Sequence, residues 1–231
     1  MMSMAERLEA VETRIAAACR RASRPRGDVK LVAVTKTVSS QMASRLVELG
    51  VLDLGENRPQ ELWRKAAELP ANVRWHLIGH LQRNKVEKTL PLTTLTHSAD
   101  SLRILQAIDA EASKQSRTVE VLLECNASGE AAKQGFALAD VPKMLSELRK
   151  LRFVRIAGLM TMAAYDVEPE KCRPTFASLR RLRDALASQM PPPHQMVHLS
   201  MGMSNDFEVA IEEGATMVRL GTVLFDGLAE P

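Results

Sequence analysis

Eight short apolar runs, five to nine residues long, recur along the chain with a helical pattern between each pair. They are KLVAVTK (30–36), VLDLG (51–55), VRWHLIG (73–79), LTTLTHS (92–98), TVEVLLECN (118–126), VRIAGLMTM (154–162), MVHLSMG (196–202) and TMVRLG (216–221). Each is too short for a buried helix and too continuous for a strand with one wet face, so each reads as a strand covered on both sides. Strands of that kind, separated by helices, run parallel through right-handed crossovers, and eight units close naturally into a barrel. The expected fold is therefore α/β, a single (β/α)8 TIM barrel. Helical segments are predicted at 39–49, 58–68, 82–89, 100–115, 138–150, 170–189 and 205–213, with a stub after 222. An additional N-terminal helix over 2–22 places Leu8, Val11, Ile15 and Ala18 at spacings of three and four. A doubly wound sheet is disfavoured, because no G-x-G-x-x-G follows the first run and no P-loop occurs.

At 231 residues and 45% hydrophobic content, residues 1–231 suffice for one domain with one substantial core. Aromatics make up only 3%, so that core has to come from Leu, Val, Ile, Met and Ala. A net charge of +3 is too balanced to steer a polyanion, and the basic cluster Arg20, Arg21, Arg24 and Arg26 lacks interleaved aromatics. It reads as cations at a helix C-terminus, not as a nucleic-acid site. The cysteines, Cys19, Cys125 and Cys172, are odd in number and without metal-ligand spacing, which suggests reduced thiols in a cytoplasmic protein. The N-terminus lacks an apolar signal core and no stretch is long enough to span a bilayer, so neither secretion nor membrane insertion is expected. The chain is expected to work as a monomer.

In a parallel barrel the chemistry sits at the C-terminal ends of the strands. The polar residues there are Lys36, Glu56, Asn57, His80, Gln82, Asn126, Thr161, the Ser200–Asn205 segment with Met201, Gly202 and Ser204, and Arg219 to Thr222. Lys36 is the sharpest candidate: an amine at the end of an apolar strand is partly desolvated, which favours the neutral nucleophile of Schiff-base chemistry. The plain alternative is a rim lysine with a wet ammonium. The segment from Ser200 combines small residues with a helix start, where Asn205 as N-cap and Glu208 three residues on form a capping-box variant. Free amides there, with those of Gly221 and Thr222, make an anion cup; otherwise the glycines serve only tight turns. Arg219 lies in an apolar strand and must be paired or face the mouth. Beside a ring nitrogen, such a permanent cation keeps that nitrogen unprotonated and weakens the ring as an electron sink. His76 and His198 read as hydrogen-bonded core or rim imidazoles. Asn57 either contacts a ligand or caps the helix that Pro59 starts, and Glu56 pairs with a cation or acts as a base. The methionines Met160, Met162, Met201 and Met203 read as packing that also lines a cavity.

Six motifs occur in order: VAVTKT around Lys36, GENRPQEL from Gly55, WHLIGHLQRNK from Trp75, LLECNASGEAAKQGF from Leu122, GLMTMA from Gly158, and LSMGMSNDFEVAIEEGATMVRLGT ending at Thr222. Together they cover nearly the whole chain and resemble the pyridoxal phosphate homeostasis protein family, relatives of the N-terminal barrel of alanine racemase. The resemblance implies pyridoxal 5′-phosphate (PLP) held as a Schiff base on Lys36. It further implies phosphate contacts from Ser200, Gly221 and Thr222, the ring nitrogen facing Arg219, and Asn57 near the ring hydroxyl. His80, Met201, Gly202 and Ser204 complete the expected cofactor-binding set, and no metal is expected. The implied role is PLP balance without turnover, with PLP-requiring apo-enzymes as possible recipients. Asp226, after Phe225, departs from the family pattern, which often has glycine there. Two enzymatic alternatives stand beside this one. An amino-acid racemase needs a second base, yet Tyr165 is the sole tyrosine and no residues follow 231 to build a further domain; His80 is the only substitute. An aldolase-like barrel uses Lys36 and the anion cup but leaves Arg219 without a ring nitrogen to address.

Overall fold

The computed structural model describes residues 2–129, 134–164, 167–190 and 192–228. Among these residues nine strands form: β1 (Lys30–Val34), β2 (Asp53–Glu56), β3 (Arg74–Leu77), β4 (Thr93–Ala99), β5 (Val119–Asn126), β6 (Phe136–Ala137), β7 (Val154–Met160), β8 (His198–Ser200) and β9 (Met217–Leu220). Their order is β4-β3-β2-β1-β9-β8-β7-β5-β6, every pair is parallel, and a β4–β5 pairing closes the ring. All eight expected strands are present. The two-residue β6 is an addition, paired to the end of β5 at Cys125↔Phe136.

The helices are α1 (Met4–Arg21), α2 (Ser40–Glu48), α3 (Pro59–Glu68), α4 (Val86–Thr89), α5 (Leu102–Lys114), α6 (Leu145–Leu148), α7 (Arg173–Ala187), α8 (Phe207–Glu212) and α9 (Thr222–Phe225). Ser3 starts α1 with a full capping box: its hydroxyl accepts from the Glu6 N–H, and its own N–H donates to the Glu6 carboxylate. The helix expected over 138–150 shrinks to a 3-10 turn at Pro142–Met144 and the single turn of α6. Pro142 has no N–H to donate, so the helix cannot extend back through it.

Side chains alternate across each strand. The outward set (Leu31, Ala33, Leu54, Trp75, Leu77, Val121, Leu123, Val218, Leu220) packs with the helices in the main apolar core. Aliphatic residues fill only part of the inside: Leu95, Leu122, Ala157, Met160 and Met217 form a small separate cluster. Val32 and Val34 add to the apolar part, and much of the remaining buried interior is polar, with His76, His97, Glu124, Ser200 and Arg219 all at 5% exposure or less. An interior of aliphatic residues alone, as composition suggested, is thus not what forms.

In the basic cluster, Arg20 and Arg21 lie exposed in the last turn of α1, as expected of cations at a helix C-terminus, and most of the cluster is paired within the chain. Arg21 pairs with Glu212, Arg24 donates to the carbonyls of Ile211 and Ala215, and Arg26 pairs with Glu12. Together with a bidentate Arg14–Glu208 bridge, the Arg21 and Arg24 contacts fasten α1 and the turn after it to α8 and the turn that follows α8, while Arg26–Glu12 ties that first turn back to α1. The three cysteines are buried thiols. Among the described residues no helix is long and apolar enough to cross a membrane.

Candidate functional site

β1 ends at Val34, so Lys36 lies two residues beyond the strand, in a turn, and is exposed. The partial desolvation expected of it is absent, because the strand stops earlier than the apolar run does. What the sequence reading missed is the clamp on its predecessor. The Thr35 N–H donates to the Gly55 carbonyl (3.0 Å), its hydroxyl donates to Glu56 Oε1 (2.6 Å), and its carbonyl accepts from Lys65 Nζ (2.6 Å). Lys65, reaching in from α3, also pairs with Glu56 at 2.6 Å, and both are fully buried. Glu56 is therefore committed to a cation and is no base. The signal was available: Lys65 stands three residues after Leu62 on the buried stripe of α3, where a lysine without a partner is costly.

The exits of β2 and β3 touch. A Cβ on Gly79 would lie 2.2 Å from the Asn57 carbonyl oxygen, so only glycine lets the two loops approach this closely. Asn57 and His80 thereby share a cleft of about 300 Å³ with Arg58, Pro59, Gln60, Gln82 and Lys85. Arg58 is the N-cap of α3 and makes no side-chain cap bond, so the capping role considered for Asn57 is not taken. His80 Nδ1 meets the Asp100 carboxylate at 2.7 Å, which orients the ring while leaving it half exposed.

After β8 the chain turns at Gly202, with φ +94°; a Cβ there would meet the Ala210 Cβ at 2.6 Å. That glycine lets the loop lie flat on α8. The residue at the N-cap of α8 is Asp206 and not Asn205; it makes no side-chain cap bond, because its Oδ1 accepts from the Met203 N–H in the preceding turn at 2.6 Å, while the Asn205 amide donates to the Val167 carbonyl. Glu208 is drawn off to Arg14, so the expected capping box does not form. The amides of Gly221 and Val223 converge on Ser204 Oγ at 3.4 and 3.3 Å. The two amides thus point at one oxygen, where the sequence placed an anion cup, with Thr222 exposed at the edge. Gly221 sits against the end of β1, its would-be Cβ 3.2 Å from the Val34 carbonyl oxygen, which brings the cup beside the strand that leads to Lys36.

Arg219 is only 4% exposed and has no carboxylate within 4 Å among the described residues. Burial pushes its guanidinium down to about 10, with Asp206 and Glu124 offsetting part of that from a distance. It donates NH1 to Ser200 Oγ (2.6 Å) and NH2 to the Thr161 carbonyl (2.9 Å), which engages two of its five N–H groups. Ser200 and Met201 are both 0% exposed. Neither presents surface to a ligand at the mouth; the Ser200 hydroxyl, expected on a phosphate, is taken instead by Arg219 and His97. Met160 and Met201 are core, while Met162 is exposed and Met203 half-buried. Glu124, which the sequence reading passed over, has its carboxyl pushed up to about 7 by burial and by Asp100. Tyr165 lies outside the described residues.

This parallel barrel falls in the alanine racemase N-terminal domain family, whose model matches residues 7–228. The chain belongs to the pyridoxal phosphate homeostasis proteins within that class. It is 41% identical to the pyridoxal phosphate homeostasis protein of Aquifex aeolicus over 97% of this chain and 98% of that one. The Pseudomonas aeruginosa protein of the same name is 37% identical over 97% and 96%. Among solved structures, PipY of Synechococcus elongatus with PLP bound superposes with a TM-score of 0.83 at 33% identity, covering 96% of this chain and all of that one. An alanine racemase of Clostridium difficile matches with a TM-score of 0.69 at 17% identity, covering 95% of this chain and 57% of that one, a likeness of fold alone.

Proposed function

We propose that this chain binds PLP as a Schiff base on Lys36 and serves the intracellular balance of that cofactor as a carrier, without turnover. The observation that carries the reading is Arg219, a buried cation with unengaged donors and no carboxylate in contact among the described residues. A cation so placed calls for an acceptor from outside the chain, and a pyridine nitrogen supplies one. When bound, the cofactor contributes a reactive aldehyde. Lys36 would hold its carbon, Arg219 would face its ring nitrogen, and Asn57, with His80 beside it, would face its hydroxyl. The amides of Gly221 and Val223, with Gly202, Ser204 and Thr222, would receive its phosphate.

Turnover is disfavoured by the same arginine, since a cation at the ring nitrogen opposes the protonation that carbanion chemistry draws on. Exposure of Lys36 suits exchange of cargo with apo-enzymes. A monomer in the cytoplasm is the setting in which that role makes sense. The test is borohydride reduction of the PLP-loaded protein followed by peptide mapping. Label on the Lys36 peptide, and loss of the visible band in Lys36→Ala, are expected. Label elsewhere, or a colourless protein that cannot be loaded, overturns the reading.

A further inference from the structure

Arg219 is one end of a continuous chain of buried hydrogen bonds that crosses the barrel. Ser200 Oγ, which accepts from Arg219, lies 2.8 Å from His97 Nδ1; His97 Nε2 lies 2.8 Å from His76 Nδ1; His76 Nε2 lies 2.9 Å from Asp53 Oδ1. The links come from five strands, β9, β8, β4, β3 and β2, and no member is more than 6% exposed. Asp53 sits at the start of β2, at the opposite end of the barrel from Lys36, and receives Lys30 and Arg74 there.

The direction of every proton in this chain is fixed by its ends. Burial works to raise Asp53, but hydrogen bonds from His76 and Arg74 outweigh it and hold the carboxyl well below its ordinary range, so it accepts. His76 must then carry its hydrogen on Nε2. Burial keeps both imidazoles neutral at ordinary pH, with Lys30, Arg74, His198 and Arg219 also disfavouring charge and Asp53 opposing them only at His76. A neutral His76 accepts at Nδ1, so His97 donates from Nε2 and accepts the Ser200 hydroxyl proton at Nδ1. The result is one-way: Arg219 to Ser200 to His97 to His76 to Asp53, each donor pointing toward the carboxylate. Such a chain polarises along its length. Aliphatic side chains fill equivalent positions in ordinary barrels without this demand for matched partners.

We propose that Asp53, His76, His97 and Ser200 are positioning residues for Arg219, forming a relay that fixes the plane of its guanidinium and lends it part of the Asp53 charge. The relay thereby sets how strongly Arg219 acts on the ring nitrogen of bound PLP, and so rests on the function proposed above. Asp206 and Glu124 are the other charged groups that Arg219 feels, and they lie outside the relay.

The test uses PLP-loaded protein and the pH titration of its visible band. Ser200→Ala and Asp53→Asn should each move the midpoint downward by about one pH unit, a tenfold change, because each strips negative charge or polarisation from the side facing the cation. Borohydride label on Lys36 should persist in both. A relay further requires that Asp53→Asn add little in the Ser200→Ala background, since the link is already cut. Additive shifts would mean that Asp53 acts through space, and unshifted midpoints that it does not act; either outcome overturns the relay while leaving the Lys36 assignment intact. An unlabelled wild-type protein would instead strike the parent reading. Should a variant fail to fold, nitrogen NMR of the wild-type imidazoles gives the answer. His76 and His97 should both shift when PLP is loaded, and resonances that stay in place would refute the coupling.

Discussion

Among the described residues two buried cations sit in this barrel, and they are treated in opposite ways. Lys65 is held by a carboxylate and a carbonyl, both at 2.6 Å, which engages two of its three N–H groups and neutralises its charge. Arg219 is nearly as buried, yet its contacts are a hydroxyl and a carbonyl, and no carboxylate touches it among the described residues. A carboxylate in contact marks the first as architecture: it pins the turn from which Lys36 emerges. On the function proposed above, the lack of one at the second leaves a place for an acceptor that arrives with a ligand. Burial alone does not separate a structural charge from a functional one; the contacting counter-charge does.

The contrast is most easily broken at Lys65. Lys65→Met leaves Glu56 buried without its cation, and Glu56 Oε2 already has no hydrogen-bond partner among the described residues. A loss of about 3–5 kcal/mol is expected from urea unfolding, with or without PLP. Arg219→Ala should behave differently, costing little without cofactor but blunting what PLP adds. At a hundredfold excess over Kd the wild type should gain about 2.7 kcal/mol, and the variant less than half of that, by thermal shift.

Glu124 sharpens the comparison from the side of the field that Arg219 feels. Its carboxyl, raised to about 7, contributes stability that is fully present below about pH 4.5 and is lost as pH climbs through 7. Glu124→Gln should therefore match the wild type at pH 4.5 and exceed it by about 1–2 kcal/mol at pH 8.5, read from paired denaturation curves. The smallest effect should come from the double variant Lys65→Met with Glu56→Leu. Removing both charges at once should leave stability within about 1 kcal/mol of wild type, because their desolvation cost goes with them.

The strands were legible because a strand buried on both faces leaves an uninterrupted apolar run, and all eight runs formed one. That same continuity hid the relay. His76 and His97 sit inside runs such as WHL and THS, and a window that scores hydrophobicity does not ask which parity faces inward. Reading by twos would have put His97 on the interior side with Leu95, and Glu124 with Leu122. Lys36, Asn57 and His80 were legible as strand-end residues because Lys36 closes its run and Asn57 and His80 come within two residues of the end of theirs. Ser200 could not be assigned correctly: its neighbours in sequence suggest a loop hydroxyl, and only the pairing of β8 with β9 brings Arg219 to it. The cap of α8 failed by one residue for a similar reason, since Asn205 is drawn to Val167 across a gap that sequence spacing does not reveal.

The strap made by α1 bears on how the chain comes to be folded. Arg14 meets Glu208 across 194 residues of intervening chain, and Arg24 meets Ala215 across 191. A growing polypeptide therefore presents the apolar side of α1, with Val11 and Ile15, long before its cover has been synthesised. Contacts this far apart are slow to form. Ring closure is thus a late event, and until it happens the nascent barrel carries a sticky leading helix that a chaperone is well suited to shield.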